Sequence, residues 1–217
     1  LRLVVGGIFR LISIVALLAV LGISYLLFQN AKQTKETQNL NVQLVEMRQE
    51  AETEEDNTDW SKGMLDINSD YKGWLTIYGT QISEPVVQGE TNETYLRTNI
   101  NGEHAEAGTL FLDETTDLTQ DGNLIIYGHK MNDGTMFAVL QKMTDEAFRN
   151  EHSKILLQTS NGLREYQIAA VLKTDITKFR FNRTEFADHA DFLSFQKELF
   201  AQSLYESQTI HGEDCRL

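Results

Sequence analysis

The sequence predicts a mainly β domain with inserted helices, an α+β fold whose strands form an antiparallel or mixed barrel behind an N-terminal transmembrane helix. Three observations lead there. Between Trp60 and Leu217, six short runs rich in β-branched or aromatic residues follow one another without regular alternation with helices. Near the start, Leu11 to Phe28 is an uncharged apolar run of 18 residues. Charge divides the chain into three segments: residues 1–35 hold four bases and no acid, 36–59 hold eight acids and only Arg48, and the rest holds 14 bases and 24 acids. The total of -13 argues against a nucleic-acid partner, which needs a basic patch to displace counterions from phosphates.

Residues 1–31 read as the anchor. At about 1.5 Å per residue, the run from Leu11 to Phe28 approaches the ~30 Å hydrocarbon core. Leu3 to Phe9 extend it past Arg10, which is near enough to one end to snorkel. A cleaved signal peptide is the competing reading, but its apolar core is normally only ~7–15 residues, and no small-x-small site follows Phe28. Arg2 and Arg10 favour an inside N-terminus, partly offset by Lys32 and Lys35. A single anchor with the large domain outside follows.

Residues 32–59 read as an acidic stalk. Leu40, Leu44 and Met47 fall at helical spacing, with Val42 and Val45 beside them. The pattern lasts under two heptads, too short for a coiled coil. Glu52, Glu54, Glu55, Asp56 and Asp59 then suggest fraying into a solvated linker.

Residues 60–217 form the domain. Its predicted strands are 74–78, 82–88, 109–112, 123–127, 154–158 and 164–173, each bounded by Gly, Asn, Asp or Ser. Pro85 must sit at an edge or a bulge, because it donates no ladder hydrogen bond. Helix is predicted over 136–143 and most clearly over 188–205, where Phe192, Phe195, Leu199 and Leu204 share a face. That stripe reads as core packing.

Several chemistries lack their motif. No G-x-x-x-x-G-K, G-x-G-x-x-G or G-x-S-x-G occurs. Asp66, Asn68 and Asp70 begin like a calcium loop, but Tyr71 and Ile77 occupy the positions that need Gly and Glu. The five histidines show no metal spacing, and Cys215 is the single cysteine. No metal or other cofactor is called for. Asn92 and Asn182 begin glycosylation triplets, which arise often by chance. His129 stands out by position, since it follows the predicted strand 123–127 and opens the polar turn G-H-K-M-N-D-G. Imidazole there can serve as acid or base. From chemistry alone, a plain surface-turn histidine is the simpler reading.

N-L-I-I-Y-G-H-K-M-N-D-G-T-M-F-A-V-L over 123–140 resembles the histidine region of class B sortases. The resemblance continues in D-Y-K-G-W-L-T-I-Y-G-T-Q-I-S-E-P-V-V-Q (70–88), N-E-T-Y-L (92–96), G-T-L-F-L-D (108–113), F-R-N-E-H-S-K-I-L-L-Q-T (148–159) and the helix at 188–205, covering the chain from about Asp59 onward. It implies a sortase-like closed β-barrel and a membrane-anchored cysteine transpeptidase on the outer side of a Gram-positive cell membrane. Such an enzyme cuts a C-terminal sorting signal, N-P-x-T-N-like or L-P-x-T-G-like, in a surface protein or pilin. It holds the acyl part as a thioester and passes it to an amine of a peptidoglycan precursor or pilin. The resemblance implies His129 as the catalytic histidine and Asn92 and Leu96 as substrate-binding residues. Phe179 and Phe181 fall in the stretch that matches the groove-shaping loop.

Two departures accompany the resemblance. Glu84 stands before Pro85 where the family often has an aromatic. The family's nucleophile lies in a T-L-x-T-C motif on the seventh strand, with an Arg downstream, whereas this chain has G-E-D-C-R-L over 212–217. Cys215 is therefore expected to be an ordinary, small apolar strand residue. The chain as given is expected to stop short of the nucleophile, the Arg and the last two strands, to be inactive, and to leave an open barrel edge. The alternative function is a catalytically dead sortase-like module that binds peptides or scaffolds surface proteins. An extracytoplasmic sensor domain fits less well, since no output domain accompanies it.

Overall fold

The computed structural model describes residues 2–53, 59–119 and 122–205. The acids Glu54, Glu55 and Asp56 of the stalk, and Cys215, lie outside the described residues.

Helix α1 runs from Arg2 to Thr53. It passes residues 31 and 32 unbroken, so the apolar run and the stalk are a single element. Its length and composition make it a candidate membrane span. The apolar side chains from Ile12 to Phe28 project outward with no protein against them. Lower down, Leu44 is buried, and Arg48 lies over the Trp74 ring at 5.1 Å. Arg48 also donates to Thr76 Oγ1 at 3.3 Å and Gln158 Oε1 at 3.1 Å. The stalk is thus docked on the domain.

A short helix α2, Asp59–Ile67, leads into β1, Tyr71–Ile77, and β2, Ser83–Val87. Then come β3, Leu110–Leu112, and β4, Ile126–Tyr127. A 3₁₀ helix over Phe137–Thr144 and helix α3, Glu146–Glu151, precede β5, Lys154–Thr159, and β6, Gly162–Gln167. Helix α4 covers His189–Ala201. The six strands form one mixed sheet in the order β4-β3-β2-β1-β5-β6, with only β2 and β3 parallel. Among the described residues, β4 and β6 are its two edges.

Strand alternation separates two cores. Leu75, Ile77, Ile82, Val86, Leu110, Leu112 and Leu157 face one side, where Met136 and Met143 join them. Trp74, Val87 and Phe111 face the other, against Leu44 of α1 and Met64 of α2. The first side is concave. It leaves a cavity of about 1060 Å³ bounded by strand residues such as Ile126 and Tyr166 and by Leu199 and Phe200 of α4.

Several elements differ in extent from their sequence pattern. The apolar run 164–173 is strand only to Gln167, because its partner β5 begins at Lys154, directly opposite Gln167. The run 123–127 pairs only at Ile126 and Tyr127, since β3 is three residues long. Residues 137–144 form a 3₁₀ rather than an α-helix. The segment is strung between the Lys130–Met136 bridge and the Asp145 cap of α3, and the tighter helix fits that short span. Pro85 is buried opposite Trp74. Pairing with β3 starts only at Val86, so the missing N–H of Pro85 falls where β2 is locally an edge.

Candidate active site

The turn after β4 carries His129. Gly128 precedes it for a steric reason: a Cβ there would come within 2.5 Å of Leu110 and 2.6 Å of the Phe137 ring. The turn is closed by Phe137 N donating to His129 O at 2.9 Å and by Gly134 N donating to Met131 O at 3.3 Å. Asp133 Oδ1 accepts from Thr135 N at 3.0 Å and Thr135 Oγ1 at 2.6 Å. The chain leaves the turn through Met136, buried, at φ 53. A non-glycine residue rarely adopts that conformation, and burial among the core methionines and leucines fixes it here.

A second turn holds the other candidate residues. Asn92 Nδ2 donates to Asp113 Oδ2 at 3.0 Å, Asn92 N to Glu114 Oε2 at 2.9 Å, and Glu114 N to Asn92 Oδ1 at 2.9 Å. Both ends of the Asn92 amide are therefore held by residues that follow β3. Leu96 is half-buried against the Trp74–Phe111 core. Gly108, at φ +62, lets this turn approach β3; a Cβ there would lie 2.4 Å from Tyr95 O and 2.6 Å from Leu96 O.

Asp113 joins the two turns. Besides Asn92, it accepts from Tyr127 Oη at 2.9 Å, Thr115 N at 2.9 Å and Thr115 Oγ1 at 2.6 Å. Burial opposes its charge, but these donors overcome that cost and hold the carboxyl below its ordinary value. Tyr127 moves the other way: burial, and then its bond to the Asp113 carboxylate, push its phenol up to about 12. This hub has no sequence motif. An Asp ending a short strand is its only trace, and its partners come from separate parts of the chain.

Arg97 was also not legible in the sequence. It is paired with Glu106 and is close enough to His129 for its charge to act there. Burial, and then the Arg97 charge, lower the His129 pKa. His129 is thus a half-buried, neutral imidazole at pH 7, suited to exchanging protons with a substrate. The structure brings His129 and the 92–97 turn to neighbouring places, linked by Asp113 and Arg97.

Phe179 and Phe181 occupy different positions from each other. Phe179 is buried and stacks on Phe195 of α4, with centroids 5.7 Å apart. It is a core residue beneath the helix. Phe181 is half-buried, and its carbonyl accepts from Asn123 Nδ2 at 3.0 Å, which ties the loop to the segment entering β4. Among the described residues, no three His, Cys, Asp or Glu side chains are grouped to share a metal ion.

This fold, with a histidine turn closing the end of β4, defines a sortase domain. The family description "Sortase domain" matches residues 75–198, so the chain belongs to the sortase family. Its similarities lie with class B. It is 39% identical over 150 residues to Sortase B of Listeria monocytogenes, covering 68% of this chain and 61% of that protein. It is 34% identical over 142 residues to Sortase B of Staphylococcus aureus, covering 65% and 58%. A Staphylococcus aureus sortase B–substrate complex superposes with a TM-score of 0.79 at 29% identity, covering 85% of this chain and 87% of that one. The matched region spans about three-fifths of the length of the two curated relatives.

Proposed function

We propose that the protein is a membrane-anchored cysteine transpeptidase of the class B sortase type. It cleaves a C-terminal sorting signal, N-P-x-T-N-like or L-P-x-T-G-like, and transfers the acyl group to an amine of a peptidoglycan precursor or pilin. It works on the outer face of a Gram-positive cell membrane, with the apolar run of α1 as a single-pass anchor. The observation that carries this reading is the sortase-family match across 75–198 with a conformationally fixed His129 inside it.

The chemistry requires a thiolate, which no described residue supplies; Cys215, the single cysteine, lies outside the described residues. The thiolate attacks the scissile carbonyl. His129, neutral at rest, takes the thiol's proton as that thiolate forms and then gives it to the departing amine, leaving a thioester. The acceptor amine then attacks the thioester, and His129 takes up the proton it releases. Asn92 and Leu96 are proposed as substrate contacts. Asn92 is held by Asp113, and Leu96 lies on the same turn.

The test is turnover of a fluorogenic sorting-signal peptide by the full-length protein. Replacement of His129 by Ala is expected to lower kcat/KM by at least about a hundredfold, the usual scale for losing a general acid–base group. Undiminished turnover would remove His129 from the mechanism. Peptide binding without cleavage in the unsubstituted protein would favour a binding module instead.

A further inference from the structure

A cleft of about 540 Å³ separates the stalk from the domain. One wall is a helical stripe of α1 from Gln33 to Glu46. The other is built from the start of β2, from Glu106 and Ala107, and from the turn Met131–Met136. Glu84 lies between these walls. It pairs with Leu75 across the sheet, so it points to the same concave side as Ile82 and Val86. It is only 7% exposed, and no described residue gives its carboxylate a hydrogen bond or an ion pair.

The charged residues that line the cleft are, among the described residues, all of one sign. Glu46, Glu84, Glu106 and Asp133 line the cleft, and no described Lys, Arg or His does. Three of the four need nothing further. Glu106 is paired with Arg97 and approached by His104 at 3.4 Å, Asp133 accepts from Thr135, and Glu46 is open to solvent. Glu84 alone combines deep burial with no counter-charge. Such a group is costly unless something supplies the opposite charge. A divalent metal is a poor match, because it needs several carboxylate oxygens and no such group of ligands is assembled among the described residues. A single carboxylate suits a compact monovalent cation. Val42, Val45, Met131 and Met136 offer an apolar path for an alkyl stem leading to it, and Asn41 and Ser83 offer further acceptors.

We propose that this cleft binds a primary alkylammonium group, such as the side chain of a lysine or diamino acid, with the Glu84 carboxylate as its counter-ion. The cleft borders the turn that follows His129, and its binding can be read without turnover, so it is tested independently of the proposed transfer.

The test is calorimetric titration of the full chain in lipid nanodiscs with Nα-acetyl-lysine amide, using phosphate buffer to exclude competing amines. The norleucine analogue, which lacks the ammonium, serves as the control probe. Saturable binding of the lysine probe is expected at about pH 8, with the norleucine probe at least about tenfold weaker. Burial pushes the Glu84 carboxyl up to about 7, so affinity falls as pH drops through that value. The Glu84→Gln substitution should weaken the lysine probe by at least about tenfold and remove that pH dependence near 7. Val42→Trp, which fills the cleft from the exposed side of α1, should abolish binding while leaving Glu84 in place. It carries the test should Glu84→Gln fail to fold. Equal affinity in wild type and Glu84→Gln, equal affinity for both probes, or no binding tighter than about 10 mM overturns the proposal.

Discussion

At the scale of single residues, two buried carboxylates show how surroundings decide chemistry. Asp113 and Glu84 are 4% and 7% exposed. Asp113 has four donors within 3.0 Å and keeps its charge. Glu84 has none among the described residues, and burial raises its carboxyl from 4.5 to about 7. The folded state therefore binds the Glu84 proton more tightly than the unfolded chain does. Its contribution is most favourable below about pH 4.5 and is lost as pH rises through about 7, to a total of about 3 kcal/mol. Glu84→Gln should leave stability nearly unchanged at about pH 4.5 and raise it by about 2–3 kcal/mol at about pH 8.5. Urea denaturation in amine-free buffer at both pH values measures this. Equal effects at the two values would mean that Glu84 keeps an ordinary pKa. His129 acts in the opposite sense: its lowered pKa removes stability as pH falls below about 6.5.

At the scale of elements, packing places the histidine turn more than its own sequence does. Gly128 has the Leu110 and Phe137 side chains in the space a Cβ would need, and Phe137 N closes the turn onto His129 O. Gly128→Ala should push Phe137 aside and shift the imidazole. The expected result is a stability loss of about 1–3 kcal/mol, the usual range for overpacking. Turnover should fall at least about tenfold beyond the unfolded fraction. Thermal melts with peptide kinetics on the same samples check this, and unchanged kinetics would show that the turn adapts. This dependence also explains what the sequence revealed. Alternation and bounding turns were enough to find all six strands, and the helix expected over 188–205 was legible from its Phe stripe, although it ends at Ala201 and leaves Leu204 exposed beyond it. Strand ends were not, because Gln167 ends β6 only through where α3 lets β5 begin. His129 was singled out because a long motif surrounds it. Asp113 and Arg97 act on partners remote in sequence, and the isolation of Glu84 appears only once β2, α1 and the histidine turn come together.

At the scale of the whole molecule, α1 sets how far the domain stands from the apolar run. Leu44 is 16 positions beyond Phe28, so a continuous helix holds the docked domain about 24 Å along its axis from the end of the apolar run. The dock is small but varied. Leu44 is buried in the core shared with Met64 and Trp74, while Arg48 combines a ring contact with hydrogen bonds to β1 and β5. One truncated side chain leaves most of this contact, whereas losing both Leu44 and Arg48 removes its buried apolar anchor and its polar anchor and leaves the partly buried Leu40 and Val45. Burial of Leu44 contributes about 2 kcal/mol, and the charge-assisted bonds of Arg48 about 1.5–3 kcal/mol. With spin labels at the exposed positions Gln38 and Gln167, the native chain in nanodiscs should give a single narrow distance distribution. Leu44→Ala with Arg48→Ala should broaden it severalfold and lower thermal melting of the domain by about 10 °C. A narrow distribution in the double variant would place the rigidity elsewhere, in the connection through α2. A broad one in the native chain would mean that the stalk holds the domain by a tether alone, and the cleft beside Glu84 would then lack its fixed second wall.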